Sequence, residues 1–308
     1  MKQTNYIYGP VPSRRLGLSL GVSPIPKKTC NYSCIYCQLG RTQKMTNTRQ
    51  VFFDPDEILK ELDRTLAQNI KFDAVTIVGE GEPTLYAGLG TLIREIKKRT
   101  DRPLAVISNA ALFYQPELQK ELMPADIILP SMDAFDEQSF KKINRPHGAI
   151  KYKDVRRGLI DFSKNYTGQL WLEIMFLKNI NDSDAAIDKY RQLLQQIDYD
   201  RLYINTPVRP PAEADVEMTS KERLKYISEK LGGISIDLLA SEGFYSDIKD
   251  TYAAILSIIK RHPMNQFEIE SFIDSRKDRN KTQIFNQLNN DKKIEVISYK
   301  GYNTYRLS

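Results

Sequence analysis

The stretch KKTCNYSCIYCQLG, residues 27–40, contains all three cysteines of a chain of 308 residues. They are Cys30, Cys34 and Cys37, which gives the spacing C-x3-C-x2-C. Three cysteines so close together are too few and too local to staple a chain of this length with disulfide bonds, and this favours a reducing compartment. The regular spacing instead predicts that the thiols bind a common metal centre.

Two familiar kinds of cysteine site fit this spacing less well than an iron–sulfur cluster. A structural zinc ion usually takes four ligands, and the chain adds only two distant histidines, His147 and His262. A redox pair of Cys34 and Cys37 would leave Cys30 without a role. Three thiolates can instead hold three irons of a [4Fe–4S] cube and leave the fourth iron open for a cofactor. A zinc-stabilised structural protein stays an open alternative.

A glycine-rich turn forms a second motif, after the strand-like run DAVTI. It comprises Gly79, Gly81, Glu82 and Pro83, with Glu80 between the glycines. Glycine lets the backbone approach a ligand closely, and a carboxylate accepts hydrogen bonds from an ammonium group. The turn is therefore predicted to bind a cofactor, with an ordinary tight turn as the alternative.

Around these motifs, short β-rich runs alternate with amphipathic stretches up to about residue 208. Six strands are predicted, in the runs 15–25, 73–83, 104–110, 125–133, 170–177 and 201–208. This alternation predicts an α/β fold with a parallel sheet, and the absence of an obvious reversal favours a partial (β/α)6 barrel over a flat sheet. Active-site residues are then expected at the C-terminal ends of the strands.

Polar side chains at the later strand ends are predicted to contribute to the site. They are Ser108, Asn109, Ser131, Asp133, Asn205, Thr206 and Arg209. Glu173 lies in an otherwise apolar strand, so it is predicted to face the lumen and act on cofactor or substrate, with a buried ion pair as the alternative. Lys178, at the end of that strand, is a candidate to bind an anionic substrate or act as a nucleophile. Arg145 and His147 are candidates for substrate or lid contacts.

From about residue 245 the pattern changes to three helices and a β-hairpin, which is the element order of a winged-helix module. We therefore expect a core domain, residues 1–245, and a small winged-helix-like domain, residues 246–308. Aromatic and cationic hairpin residues could bind a nucleic acid, or the tyrosines could simply pack across the strands. These residues are Tyr299, Lys300, Tyr302, Tyr305 and Arg306.

Charge is distributed unevenly along the chain. The net charge is +6, and residues 1–53 contain eight Lys and Arg residues but no Asp or Glu. A basic segment around the cysteines suits a polyanion or an acidic electron-transfer partner, with a solvated face as the alternative. The sequence shows no secretory signal and no run of about 18 apolar residues, so we expect a cytoplasmic protein that does not cross a membrane.

The cysteine spacing resembles that of the radical S-adenosylmethionine (SAM) superfamily. Tyr36, before the last cysteine, matches the family pattern, which implies a contact to the adenine side of SAM. The turn at residues 79–83 is similar to the family's Gly-Gly-Glu-Pro turn, although Glu80 stands where a glycine is more usual. That similarity implies that Glu82 and the turn bind the methionine amino group, and that the polar strand ends contact the ribose, carboxylate and adenine.

The segments YGPVPSRRLGLSLGV, SMDAFDEQSFKKINRPH and NTPVRPPAE are similar to stand-alone radical enzymes related to tRNA wyosine synthases, over residues 7–245. Wyosine synthases carry additional N-terminal cysteines for a second cluster, which this chain lacks. The resemblance implies an Fe–S enzyme that takes one electron from a flavodoxin or ferredoxin type of donor and cleaves SAM reductively. It also implies that the resulting 5′-deoxyadenosyl radical abstracts a hydrogen atom from an unidentified substrate.

Three alternatives for the substrate and role follow from the same residues. The enzyme could act in tRNA modification on an RNA substrate, or it could modify a protein or peptide. The chain could also be a nucleic-acid-binding regulator that uses its cluster as a redox sensor. In each case no structural metal beyond the cluster is expected.

Overall fold

The computed structural model describes residues 6–236, 244, 246, 248–278, 280–299 and 301–307. In chain order the strands are β1 (Ile7–Ser13), β2 (Gly17–Val22), β3 (Thr29–Cys30), β4 (Lys44–Met45), β5 (Ala74–Ile77), β6 (Leu104–Ser108), β7 (Ile127–Pro130), β8 (Gln169–Met175), β9 (Arg201–Asn205), β10 (Ile234–Ser235), β11 (Met264–Asn265), β12 (Ile294–Tyr299) and β13 (Tyr302–Leu307). The helices are α1 (Pro55–Leu66), α2 (Leu89–Lys97), α3 (Pro116–Leu122), α4 (Glu137–Ile143), α5 (Tyr152–Asn165), α6 (Asp184–Leu194), α7 (Lys221–Leu231), α8 (Thr251–Ile259), α9 (Gln266–Ser275) and α10 (Lys281–Asn290).

The described residues form a large sheet with the strand order β1-β2-β5-β6-β7-β8-β9-β10. Strand β1 runs antiparallel to β2, and every later neighbour pairs in parallel. The six predicted strands are thus present and lie side by side in chain order, which confirms the α/β prediction. Strand β1 was not predicted, because it contains Pro10 and Pro12, and proline within a sheet is confined mainly to edge strands.

Local signals in the sequence set the helix boundaries. Helix α1 follows Asp54, whose side chain accepts a hydrogen bond from the backbone N–H of Asp56, and its first residue is a proline. Helix α4 begins with a capping box between Asp136 and Ser139. Helix α7 ends at Gly232, which has a φ of 69°. These ends position the loops that follow the strands.

Side chains on each strand alternate between the helices and the lumen of the curved sheet. On β8, Leu172 and Ile174 join the main core under the helices, whereas Trp171 faces inward. An apolar plug fills part of the lumen, formed by Leu16, Ala74, Ala105, Ile127, Leu129, Trp171, Tyr203 and Ile236. Farther along the strands the inward residues become polar, as with Glu173 on β8. The lumen is therefore apolar at one end and polar toward the C-terminal strand ends.

The C-terminal module, defined here as the described part of residues 248–307, has its own buried cluster of side chains. Its elements follow the order α8, β11, α9, α10, β12, β13, and its three strands form an antiparallel sheet in the order β11-β13-β12. The order includes the predicted three helices and hairpin, with β11 as an additional strand. The winged-helix assignment and the domain boundary stay predictions. Within the described ranges, no helix is both long and apolar enough to cross a membrane.

Candidate functional site

A cavity of about 800 Å³ lies at the C-terminal ends of the strands. Its lining comes from the hairpin of β1 and β2, from the cysteine loop (residues 28–42), from the strand ends and from the C-terminal module. All three cysteines line it, and so do Gly79, Glu80, Gly81, Glu173, Asn205, Thr206 and Arg209. A volume between roughly 300 and 1,000 Å³ is typical of small-molecule sites. The two sequence motifs therefore meet in one ligand-sized cavity.

The cysteine loop and the glycine turn are packed directly against each other. The backbone N–H of Glu82 donates to the carbonyl oxygen of Thr29 at 3.1 Å, and that of Lys28 donates to the carbonyl oxygen of Glu80 at 2.6 Å. A Cβ atom on Gly81 would lie 1.7 Å from the Thr29 oxygen. Only glycine fits at this position, because the backbone of the cysteine loop occupies the space that a side chain would need.

The three thiols are partly buried and interact with one another. Asn109 Nδ2 lies 3.7 Å from Cys30 Sγ and Asn144 Nδ2 lies 3.5 Å from Cys34 Sγ, each as a donor. Burial raises the pKa of Cys30, Cys34 and Cys37, and neighbouring thiols raise those of Cys30 and Cys34 further. The raised pKa values favour the protonated thiols. A bound cationic centre would instead favour the thiolates, because thiolates are the form that binds metal.

The arrangement of possible metal ligands bears on the kind of metal centre that this site could hold. Within the part of the chain that the structure describes, no three His, Cys, Asp or Glu side chains lie close enough together to hold one metal ion. The thiolates of a [4Fe–4S] cluster each bind a different iron. Three thiols that line one cavity fit such a cluster.

Glu82 lies behind the cavity and does not line it. Its Oε1 accepts hydrogen bonds from the Thr84 N–H at 3.0 Å, the Thr84 hydroxyl at 2.6 Å and the Ser108 hydroxyl at 2.8 Å. Its Oε2 accepts from the backbone N–H of Asn109 at 2.8 Å. Burial raises the pKa of Glu82, and these bonds partly offset that rise. The site is thus framed by Glu82, Pro83, Ser108 and Asn109. Direct cofactor contacts of these residues stay a prediction from the sequence.

Glu80 has the opposite environment. It is 4% exposed and lines the cavity, and its Oε1 accepts no hydrogen bond from the described residues. Its Oε2 lies 3.7 Å from Lys260 Nζ and 3.6 Å from Arg261 Nε. An unsatisfied buried carboxylate oxygen is costly, and an ammonium group of a ligand would satisfy it. The sequence signal for Glu80 is its position where a glycine is more usual.

Tyr36 lines the cavity beside the cysteines, and its hydroxyl donates to Asp133. Asp133 also accepts from Asn144 Nδ2 at 2.9 Å and from the Met175 N–H at 3.0 Å. Burial raises the pKa of Asp133, and these hydrogen bonds lower it in part. Asp133 and Ser131 are not among the residues that line the cavity. Asp133 therefore positions Tyr36 and does not face the cavity itself.

The end of β9 brings its predicted residues to the cavity. Asn205 Oδ1 accepts from the Thr206 N–H at 2.8 Å, and the Thr206 hydroxyl donates to the carbonyl of Phe176 at 2.9 Å. Arg209 reaches from the following loop to the C-terminal module, where its Nη2 donates to Glu268 Oε1 at 3.1 Å. This strand end joins the sheet to the opposite wall of the cavity.

The two residues predicted to be catalytic lie in different places. Glu173 lines the cavity and also forms an ion pair with Arg15, which lies in the turn between β1 and β2 and not on a helix. Its action on cofactor or substrate stays a prediction. Lys178 lies outside the cavity lining and pairs with Glu217 at 2.6 Å, with both side chains exposed. This hydrogen bond raises the pKa of Lys178, whereas a nucleophilic amine needs a lowered one. The structure does not bring Lys178 into the site.

Other candidates also lie apart from the cavity. Arg145 and His147 line a separate groove, together with residues of α4 and of the start of α5. In the hairpin, Tyr305 is 2% exposed and packs in the core of the C-terminal module, so it cannot stack on a base. Arg306 donates to a carbonyl of the cysteine loop at 3.4 Å. Lys300 lies outside the described residues.

Several residues that line the cavity were not singled out from the sequence. They are Tyr8, Arg14, Arg15, Arg261, His262, Phe267 and Ser271. The sequence signal for Arg14 and Arg15 is the excess of basic residues near the N-terminus. The others depend on how the C-terminal module packs against the sheet, which short-range patterns do not encode.

Comparison with known proteins gives a consistent family assignment. A family model described as the radical SAM superfamily matches residues 25–190. The UPF0026 protein MJ1312 of Methanocaldococcus jannaschii is 34% identical over 305 residues, which cover 96% of this chain and 93% of that protein. The GTPase Obg of Brachyspira hyodysenteriae is 40% identical over 228 residues, which cover 74% of this chain and 32% of that protein. The chain thus spans about a third of this second relative.

A solved structure shares the fold at low sequence identity. It is TYW1 with a lysine–pyruvate adduct bound, which is 18% identical and covers 69% of this chain and 72% of its own chain, with a TM-score of 0.54. The fold, the cavity and the family match agree. The chain belongs to the radical SAM superfamily and is an enzyme of that class, whose cofactors are a [4Fe–4S] cluster and SAM.

Proposed function

We propose that Cys30, Cys34 and Cys37 ligate the [4Fe–4S] cluster and that the same cavity takes SAM and a substrate. The meeting of the three thiols with the glycine turn in one cavity supports this proposal most strongly. When bound, the reduced cluster and SAM together supply a 5′-deoxyadenosyl radical that removes a hydrogen atom from the substrate. The chain's own residues hold these groups and exclude water.

Glu80 is proposed to hold the amino group of SAM. The Glu80 side chain lines the cavity, its Oε1 has no hydrogen-bond donor among the described residues, and the flanking Gly79 and Gly81 also line the cavity. Glu82 already accepts four hydrogen bonds from the protein, so it has little capacity left for a ligand. In this proposal Glu82 keeps the glycine turn in place against the sheet.

Tyr36, Asn205 and Thr206 are proposed to contact the nucleoside part of SAM. All three line the cavity, and the hydrogen bond to Asp133 fixes the tyrosine ring beside the thiols. The apolar plug closes the lumen behind the site, and the C-terminal module covers it from the other side. Such enclosure shields a reactive intermediate from water.

The proposal extends to the cellular location and to the class of substrate. Close cysteine thiols that hold a cluster are suited to the reducing cytoplasm. The basic excess of residues 1–53 supports a polyanionic substrate such as RNA, as in tRNA modification. The related TYW1 structure contains a lysine–pyruvate adduct, but the exposed Lys178 of this chain gives no support for such an adduct at that residue.

Anaerobic reconstitution with iron and sulfide tests the cluster assignment. We expect about four irons per chain and, after reduction, an electron paramagnetic resonance signal that changes when SAM is added. Cys34→Ser should lose both, whereas Ser33→Ala, a neighbouring change at a residue without a thiol, should keep both. Full iron loading in the Cys34→Ser variant would contradict the assignment.

A further inference from the structure

A second groove, of about 610 Å³, is lined by residues of α4, of the start of α5 and of the segment between them. Its lining contains four cations and one carboxylate, namely Lys141, Arg145, Lys151, Lys153 and Glu137. Lys141 pairs with Glu137 at 3.1 Å, and Arg145 pairs with Glu213 at 2.6 Å. Among the described residues, Lys151 and Lys153 have no carboxylate within ion-pair distance, and both side chains are exposed. The groove therefore presents an excess of positive charge to solvent.

The floor of this groove is hydrogen-bonded to the cysteine loop. The His147 N–H donates to the Asn31 carbonyl at 2.8 Å, and the Ile35 N–H donates to the Ile143 carbonyl at 3.0 Å. Between these bonds, Tyr32 and Pro146 form an antiparallel bridge. Hydrogen-bonded strands lie about 5 Å apart, so one layer of backbone separates the groove from the loop that carries the thiols.

One side chain links the two surfaces directly. Asn144, which precedes Arg145 in the groove, donates from Nδ2 to Cys34 Sγ at 3.5 Å. A redox partner seated on the groove would thus be one residue and one hydrogen bond from a proposed cluster ligand. The large cavity, by contrast, is lined by the three cysteines themselves and is proposed to hold SAM and substrate.

We propose that this groove is the docking surface for an acidic one-electron carrier protein of the flavodoxin or ferredoxin class. The inference rests on the proposed function, because the cluster needs one electron from outside the chain. Opposite charge steers the carrier to the groove and orients it toward Cys34. The carrier loses one electron and the cluster gains one, and no covalent bond forms or breaks. A separate entrance lets the carrier dock while SAM and substrate occupy the cavity.

Charge reversal in the groove tests the inference. Lys151 and Lys153 lie at and just after the start of α5, so Lys151→Glu combined with Lys153→Glu places negative charge at the helix N-terminus and should not harm folding. The matched control combines Lys60→Glu with Lys164→Glu, at exposed lysines outside the groove. Both double variants change the net charge equally.

The measurement is the rate of cluster bleaching in stopped flow, with flavodoxin hydroquinone and, separately, with dithionite. At low salt, we expect the groove variant to be reduced by flavodoxin about tenfold or more slowly than the control, and the difference to shrink as salt rises. With dithionite, both variants should be reduced at the wild-type rate. Equal rates with flavodoxin for the two variants would overturn the inference.

A binding measurement separates this inference from the proposed function. Oxidised flavodoxin should bind the wild type and the control more tightly than the groove variant in surface plasmon resonance, whether or not a cluster is loaded. Failure of the wild type to load a cluster would refute the proposed function, but the binding data would still test the groove. If the groove variant binds flavodoxin normally and instead loses affinity for RNA, the groove is an RNA surface and the carrier proposal fails.

Discussion

Two walls of the same cavity are held in different ways. The wall that carries the cysteines is tied to the sheet by backbone hydrogen bonds and by the buried carboxylate of Glu82. The wall formed by the C-terminal module is held in part by side-chain contacts across the cavity, such as those of Arg209 and of the Lys260–Arg261 pair with Glu80. The first wall is thus held largely through backbone atoms, and the second in part through side chains.

Removing a thiol from the wall that carries the cysteines should have the largest effect. Cys30→Ala should abolish SAM cleavage, because a cube held by two thiolates does not keep a defined open iron. The measurement is 5′-deoxyadenosine formed per chain with dithionite. Thr42→Ser, a conservative change within the same loop, serves as the control and should retain cleavage. Cleavage at the wild-type rate by the Cys30→Ala variant would show that the thiols have another role.

The two glutamates of the glycine turn should separate stability from binding. Glu82→Ala removes the acceptor of four buried hydrogen bonds and should lower the free energy of unfolding by about 2–4 kcal/mol, measured by urea denaturation of the apoprotein. Glu80→Gln should lower that free energy by less, because the amide keeps the volume of the side chain and removes only the charge that faces Lys260 and Arg261 at 3.7 and 3.6 Å. Equal destabilisation by both changes would contradict the distinction.

In affinity for SAM, by contrast, the change at Glu80 should have the larger effect of the two. Glu80→Gln weakens the acceptor proposed for the SAM amino group and should raise the Kd for SAM about tenfold or more, since a hydrogen bond to a charged group contributes about 1.5–3 kcal/mol. Equilibrium binding to the reconstituted protein measures this. Glu173→Gln, another cavity carboxylate, is the matched comparison, because its partner is Arg15. An unchanged Kd for SAM in the Glu80→Gln variant would contradict this role of Glu80 and would favour Glu82 as the residue that holds the amino group.

Removing a contact of the second wall should have a smaller effect. Arg209→Ala should loosen the C-terminal module and cost about 1–2 kcal/mol, because its guanidinium bridges the loop after β9 and Glu268. Hydrogen exchange should then increase in α9 and β11, with little change in the cysteine loop. The control is Arg191→Ala, which breaks an exposed ion pair within α6 and should change stability by less than about 0.5 kcal/mol. Equal increases in hydrogen exchange in the C-terminal module and in the cysteine loop would contradict the difference between the two walls.

Lys178 gives the smallest expected effect. Because its side chain pairs with Glu217 at the surface, Lys178→Met should leave SAM cleavage within about twofold of the wild type. The assay is the same release of 5′-deoxyadenosine. A loss of tenfold or more would restore Lys178 as a catalytic candidate and would require the loop after β8 to move.

Local patterns in the sequence predicted the parts of the fold that depend on near neighbours. The six inner strands followed from alternating runs, and the shared position of the cysteines and the glycine turn followed from the rule that sites lie at strand ends. The roles of Glu80 and Glu82 could not be separated, because they depend on donors from β6 and cations from α8. The surface ion pair of Lys178 could not be predicted, because its partner, Glu217, is distant in the chain.

The most direct test of the central claim is release of 5′-deoxyadenosine by the anaerobically reconstituted chain. With about four irons bound, dithionite and SAM should yield 5′-deoxyadenosine in the wild type and none in the Cys30→Ala variant. A fully loaded wild-type sample that binds SAM but releases no 5′-deoxyadenosine would contradict the claim that this cavity performs radical chemistry.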